Sequence, residues 1–235
     1  MLIDYQKVNI VQDRNVVLKD VNLQVDSGDF VYIIGKVGSG KSSLLKTMYC
    51  ELDHDKPEKA EVLGRDLNHI RRREVPALRR EMGIIFQDFQ LLHDRSVRKN
   101  LDFVLKATKW NKRKERDERI NQVLEAVGMT DKIDKMPHEL SGGEQQHIAI
   151  ARALLNKPRI IIADEPTGNL DMDTARHIVS LLKKISKDGT AVVMSTHNIH
   201  LLDEFPGTVL RCKDGSLNDV TNEYRHMDLT EDGKD

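Results

Sequence analysis

With 235 residues and a formal net charge of -1, the chain is long enough for one large domain and lacks the basic excess of a protein that coats nucleic acid or anionic lipid. Apolar residues make up 39% and charged residues 32%, so a packed core comes with a strongly polar surface. No run approaches the roughly 18 consecutive apolar residues that a membrane-spanning helix needs. The opening Met1-Leu2-Ile3-Asp4-Tyr5 has no secretory pattern, and Cys50 and Cys212 lack paired spacing. Both cysteines read as reduced, packed thiols, which makes a cytoplasmic protein the expectation.

In chain order, residues 2–34 alternate as strands do. Val21-Asn22-Leu23-Gln24-Val25 has period two, Asp26-Ser27-Gly28-Asp29 is a turn, and Phe30-Val31-Tyr32-Ile33-Ile34 is a buried strand. A Gly-rich loop over 35–40 leads into a helix expected from Lys41 to Leu52. Short strands are expected near Glu61-Val62-Leu63 and at Met82 to Phe86. From about 96 to 128 the pattern turns helical and charged, with Ile120, Val123, Leu124 and Val127 as one apolar stripe. The mixed-sign run from Lys112 to Arg119 reads as a solvated face. A helix from Gly142-Gly143 to about Asn156 precedes the strand Arg159 to Ala163. A further helix carrying Ile178, Val179, Leu181, Leu182 and Ile185 leads to the strand Ala191 to Met194. Continuously apolar strands alternating with helices predict a mostly parallel sheet covered on both faces. The helical stretch over 89–155 interrupts that alternation and is expected to form a subdomain.

Three motifs carry chemistry. The first is Gly35-Lys36-Val37-Gly38-Ser39-Gly40-Lys41-Ser42-Ser43, directly after an apolar strand and opening a helix. Its backbone N–H groups can curl around phosphate oxygens, Lys41 can reach the β- and γ-phosphates, and the Ser42 hydroxyl suits Mg²⁺. The second is Ile160-Ile161-Ile162-Ala163 ending in Asp164-Glu165. At the carboxyl end of a central strand, Asp164 is placed to hold Mg²⁺ and Glu165 to act as general base on water. The third is Leu140-Ser141-Gly142-Gly143-Glu144-Gln145-Gln146, in which Ser141 reads as an N-cap and two glycines expose a second anion-binding helix start.

In order and spacing these motifs resemble those of the ATP-binding cassette (ABC) family over about residues 2–220. The resemblance implies an α/β P-loop NTPase fold with a mostly parallel core sheet, an N-terminal antiparallel β part and an inserted α-helical subdomain. It implies one domain over 1–222, with a core lobe at 1–88 and 156–222, a helical subdomain at about 89–155, and a polar tail at 223–235. It further implies ATP hydrolysis with Mg²⁺ in a homodimer. There Ser141, Gly142, Gly143 and Glu144 close over ATP held by Gly35, Gly38, Ser39, Gly40, Lys41, Ser42 and Ser43 of the other subunit. By the same resemblance Gln87 joins Ser42 and Asp164 as a Mg²⁺ contact that relays the nucleotide state, Asp171 in Gly168-Asn169-Leu170-Asp171 faces the opposite subunit, and His197 lies near the γ-phosphate.

The runs from Asp164 to Asp171 and from Phe86 to Val97 resemble the subgroup of cell-division, lipoprotein-releasing and MacB-type ATPases, with the FtsE-type cell-division branch most similar. That branch implies an integral membrane FtsX-like permease as partner, a place on the inner face of the plasma membrane, control of cell-wall hydrolases, and no nucleic acid. The alternative is the ATPase of a lipoprotein-releasing or MacB-type exporter. Soluble repair-type ABC proteins carry long coiled coils between the two halves of the site, and this chain has no sustained heptads there. Two positions depart from the family. Val11 or Gln12 stands where an aromatic residue usually stacks on adenine, and His147 stands where arginine is common.

Overall fold

A computed structural model describes residues 1–55 and 57–224. Two long strands open the chain, β1 (Ile3–Gln12) and β2 (Asn15–Val25). Asp13 and Arg14 join them with φ of 49° and 67°, the two-residue hairpin geometry whose twist matches the flanking strands. After β3 (Phe30–Ile34) and a loop comes α1 (Lys41–Met48), which ends short of the expected Leu52 because Cys50 turns left-handed at φ 57°. Next are β4 (Lys59–Val62), β5 (Arg65–Asp66), α2 (Val75–Arg80) and β6 (Met82–Ile85). Three helices follow, α3 (Val97–Ala107), α4 (Arg113–Ala126) and α5 (Gly142–Leu154). The chain then runs through β7 (Ile160–Ala163), α6 (Met172–Lys187), β8 (Ala191–Thr196), α7 (His200–Glu204), β9 (Thr208–Lys213) and β10 (Ser216–Asp219).

The strands form two sheets. One is antiparallel and four-stranded in the order β2-β1-β4-β5; the other is six-stranded in the order β10-β9-β3-β8-β7-β6. Within the larger sheet β9-β3-β8-β7-β6 are all parallel, and only β10 is antiparallel to its neighbour. The expected parallel core and N-terminal antiparallel part are both present. The sequence reading did not foresee β9 and β10, which follow a segment without clear periodicity.

Strand alternation explains why the central strands are apolar throughout. Phe30, Tyr32, Ile34, Ile161 and Ala163 face a core shared with α3, α4, α5 and α6. Val31, Ile33, Ile160 and Ile162 face the opposite core, shared with α1 and the antiparallel sheet. Each strand residue is buried on one side or the other, so no polar position is tolerated until the strand ends.

The helices α3, α4 and α5 pack on one another between β6 and β7. The stripe Ile120, Val123, Leu124 and Val127 is buried as its spacing predicts. The solvated-face reading of 112–119 needs correction at two positions. Arg116 is buried, its Nε donating to Asp102 at 2.6 Å, because the turn before α4 offers it the carbonyls of Trp110 and Asn111 as well. Arg119 turns inward to donate to the carbonyls of Leu154 and Leu155, which end α5 without intrahelical partners. Glu223 and Tyr224, expected in the tail, hold Arg211, with Arg211 Nη2 at 2.6 Å from Glu223 and 3.2 Å from Tyr224 Oη. The rest of the expected tail, 225–235, lies outside the described residues.

Candidate active site

The carboxyl ends of β3, β7 and β8 lie side by side because those strands are parallel neighbours, and each delivers one motif to the same edge. From β3 the chain enters the loop 35–40. Gly35 (φ 149°) and Gly40 (φ 97°) are both in backbone regions that favour glycine. A Cβ at Gly35 would lie 2.5 Å from the Cys212 carbonyl, and one at Gly40 would lie 2.8 Å from the Val17 side chain. The loop is thus wedged between β9 and β2, with Gly40 as the N-terminal cap position of α1. Ser39 Oγ is buried there without a hydrogen-bond partner. Lys41 is 4% exposed, and its Nζ donates to the carbonyls of Gly35 at 3.0 Å and Lys36 at 3.3 Å.

From β7 come Asp164 and Glu165. Asp164 Oδ1 accepts from Ser42 Oγ at 3.0 Å and from Ser195 Oγ at 2.6 Å, so the first two motifs touch directly. Ser195 Oγ also accepts from the Glu165 backbone N–H at 2.8 Å. Glu165 sits at φ 44°, a conformation uncommon for a residue with a Cβ, and the Gly168 N–H donates to its carbonyl at 3.0 Å. Its carboxylate lies between two cationic or protonatable groups, Lys41 Nζ at 3.4 Å from Oε1 and His197 Nδ1 at 3.3 Å from Oε2. His197, carried by the end of β8, remains more than half exposed.

Gln87, two residues past β6, is exposed, and a Cβ on Gly168 would sit 3.5 Å from its Nε2 and 3.5 Å from Glu165 Oε2. Gln87 thus stands beside the Asp164-Glu165 corner. Asn169 Nδ2 also reaches the Gln87 carbonyl, at 3.4 Å.

The Ser141 segment stands apart from this cluster. Ser141 caps α5, with Glu144 N–H donating to its Oγ at 3.2 Å and Glu144 Oε2 accepting from Ser141 N–H at 2.8 Å. That backbone bond, together with Lys132 at 3.0 Å, holds the Glu144 carboxyl below the usual range. None of Ser141, Gly142, Gly143 and Glu144 makes a hydrogen bond or ion pair with the 35–43 loop, whereas Gly142 and Gly143 approach Leu170 and Thr174. Asp171 caps α6, accepting from Thr174 N–H at 2.9 Å and Thr174 Oγ1 at 2.6 Å; those bonds hold its pKa down.

Sequence reasoning missed Ser195, whose hydroxyl joins Asp164 to the Glu165 backbone; a serine closing an apolar strand gives no periodic signal. It also missed Gln146, fully buried in α5, with Nε2 donating to the Pro166 carbonyl at 2.6 Å. His147, unexplained by sequence, has Nδ1 at 2.9 Å from the Gly143 carbonyl and so braces the first turn of its own helix. Val11 and Gln12 end β1, and Gln12 Oε1 accepts from Ser43 Oγ at 2.6 Å, next to the phosphate-loop helix. Tyr5 is a core strand residue, 1% exposed and bonded to Thr47. Cys50 and Cys212 are both free thiols, and burial pushes the Cys212 pKa up to about 12.

Among the described residues no helix is long and apolar enough to cross a membrane. A sequence profile for the ABC transporter family matches residues 18–168. The chain is 38% identical over 232 residues to the cell division ATP-binding protein FtsE of Streptococcus pneumoniae serotype 2 (strain D39), covering 94% of this chain and all of the relative. It is 42% identical over 211 residues to the protein of that name from Mycobacterium tuberculosis, covering 88% of this chain and 89% of the relative. Among solved structures, the ATP-binding cassette MJ0796, dimeric and bound to ADP and Pi in a post-hydrolysis state, superposes with a TM-score of 0.82. It is 31% identical, and the match covers 96% of this chain and all of that one. The glycine-bearing loop 35–43, the Asp-Glu corner and the separate capped start of α5 on this fold agree with those likenesses: the chain belongs to the ABC transporter family, as an ATP-binding and ATP-hydrolysing cassette of the group of cell division proteins named FtsE.

Proposed function

We propose that two copies of the chain close around two ATP molecules on the cytoplasmic face of the membrane, and that this closure drives an FtsX-like integral membrane partner controlling cell-wall hydrolases in division. One observation carries the reading. Ser42, Asp164, Ser195, Glu165, Lys41 and His197 form a connected cluster, whereas the Ser141 segment, itself a capped helix start, makes no hydrogen bond or ion pair with it. A signature with no business in its own site has a use in a neighbour's. MJ0796, similar to this chain over nearly its whole length, is dimeric in the structure bound to ADP and Pi.

Within that reading the roles follow from position. Lys41 supplies a fixed positive charge to the β- and γ-phosphates, and the unpartnered Ser39 Oγ has a hydrogen-bonding valence to offer them. Ser42 Oγ and the Asp164 carboxylate are hard oxygen donors that meet at one corner, of the kind Mg²⁺ prefers, and Gln87 beside Glu165 has a side-chain oxygen to add. Mg²⁺ bound there would neutralise charge on the phosphate oxygens. Glu165 accepts a proton from the water that attacks the γ-phosphorus, and ADP leaves as the bridging bond breaks. Ser195 fixes both members of the Asp-Glu pair, and His197 steadies the carboxylate.

The surface following Gln87 is the proposed docking place for the membrane partner. Leu91 is buried and Phe89 half-buried against the core, but Leu92 and Phe103 are 36% and 47% exposed. Buried Asn100 of α3 holds the Leu92–Arg95 turn, accepting from the Leu92 N–H at 2.7 Å and donating to the carbonyls of Leu92 and Arg95. The Arg95 guanidinium lies 4.8 Å over the Phe103 ring. Exposed apolar anchors of this kind dominate many contacts. Leu92→Asp and Phe103→Asp should leave ATP affinity within about twofold while abolishing copurification with the coexpressed FtsX-like protein. Undiminished copurification of both variants would contradict the docking assignment.

A further inference from the structure

Arg152 lies on the signature helix α5, three turns from Ser141, and its guanidinium is half-buried. Among the described residues no carboxylate lies within ion-pairing distance of it. Its partners are two main-chain carbonyls, Nη2 donating to Phe89 at 2.9 Å and Nη1 to Gln90 at 2.5 Å, with the Phe86 ring 6.0 Å away. Desolvation holds its pKa below the usual arginine value, with Asp88 the opposing charge that offsets this. A charged group withdrawn from water onto two carbonyls needs a reason, since an exposed arginine would avoid that cost.

The two carbonyls belong to an unusual piece of backbone. Phe89 (φ 58°) and Gln90 (φ 48°) are consecutive left-handed residues, neither of them glycine. Each such residue is strained unless its surroundings hold it. This bend comes directly after Gln87 and Asp88, and it turns the Phe89 ring toward the other end of α5. A Cβ at Gly142 would lie 3.8 Å from Phe89 Cζ and 3.6 Å from Leu170 Cδ2. A planar fork with two parallel donors is what can hold two successive carbonyls at once, which a lysine ammonium does less well.

From this geometry we infer that Arg152 is a positioning residue: it clamps the segment after Gln87 in its left-handed bend and so seats Phe89 beside Gly142, making the glutamine loop and the signature of one protomer a single mechanical unit. The inference deepens the proposed function and rests on its premise that the signature acts on the ATP of the other copy. A change at Gln87 then moves the far protomer's ATP contact through α5 without passing through the chain's own phosphate loop. Arg152 touches none of the phosphate-loop residues, so its loss should separate binding from closure.

The test uses the full chain carrying Glu165→Gln, so that hydrolysis does not deplete ATP, with Mg-ATP as the probe. Adding Arg152→Gln should leave ATP affinity of the monomer within about twofold yet weaken ATP-driven dimerisation at least about tenfold by sedimentation. Arg152→Lys, which keeps the charge but puts its donors on a single nitrogen without the planar fork, should fall between. Amide hydrogen exchange over 88–91 should quicken in Arg152→Gln while exchange in the β3 and β7 core is unchanged. If Arg152 acts through Phe89, then Phe89→Ala and Arg152→Gln combined should weaken the dimer no more than the stronger single variant. Additive losses, or a fully dimerising Arg152→Gln, would overturn the clamp. A parent that fails to dimerise would instead overturn the two-copy reading, and unchanged exchange at 88–91 would still dispose of the clamp by itself. Were Arg152→Gln to unfold, Arg152→Lys carries the same three readouts.

Discussion

Lys41 illustrates how much of the site depends on single atoms. Its ammonium is almost wholly buried, yet it has the Glu165 carboxylate at 3.4 Å and two loop carbonyls around it. Replacing it with alanine removes the fixed counter-charge to the phosphates, and a hydrogen bond to a charged group contributes about 1.5–3 kcal/mol. Lys41→Ala should therefore weaken ATP binding roughly tenfold to a hundredfold in a calorimetric titration and eliminate turnover; unchanged affinity would contradict the assignment. Base recognition turns on Gln12 in the same way. Its amide is committed to Ser43 at 2.6 Å, and it offers no aromatic face. Stacking would be worth about 1–3 kcal/mol per base. Without it, ATP and GTP should bind within about tenfold of each other, and a hundredfold preference for ATP in a competition titration would point to another residue reading the base.

At the scale of elements, the signature helix is fixed by steric fit as much as by its cap. A methyl at Gly143 would lie 2.6 Å from Thr174 Cγ2, while Thr174 Oγ1 is tied to Asp171 at the start of α6. Alanine gains at most about 1 kcal/mol over glycine in helix propensity, and overpacking costs about 1–3 kcal/mol, so the clash wins. Gly143→Ala should lower stability by about 1–2 kcal/mol in urea unfolding. Adding Thr174→Ser, which deletes the methyl and keeps the hydroxyl on Asp171, should recover most of the loss. An unaffected Gly143→Ala would show that α5 and α6 can move apart freely.

The same elements explain what could be read from the sequence. The strands β3, β7 and β8 were legible because both faces are buried and every position must be apolar. That the loop 35–43 and the Asp164-Glu165 corner come together was legible because both sit at the ends of such strands. Strands β9 and β10 were not: no residue of β10 is buried, and the buried Val209, Leu210 and Cys212 of β9 do not alternate with period two. Arg116 and Arg119 were misread because a charged residue satisfied by main-chain carbonyls looks like a solvated one in sequence, whether those carbonyls lie in the preceding turn, as for Arg116, or at the end of α5, as for Arg119. Ser195 acts through two hydrogen bonds across 31 and 30 residues and Gln146 through one across 20, and no local spacing records those.

For the whole molecule, the parallel sheet gathers Lys41, Asp164, Glu165 and His197 at one edge, while the capped start of α5 stands elsewhere on the surface. On the proposed function this site is completed only by a second copy of the chain. Glu165→Gln tests this most directly, because it removes the proton acceptor while keeping the shape of the side chain between Lys41 and His197. Loss of a general base slows hydrolysis by roughly 10²–10⁴, so bound ATP should persist and hold two copies together. On a sizing column with saturating Mg-ATP the variant should elute as a dimer, and without nucleotide as a monomer. Elution as a monomer in saturating Mg-ATP, or hydrolysis at the wild-type rate, would contradict the account.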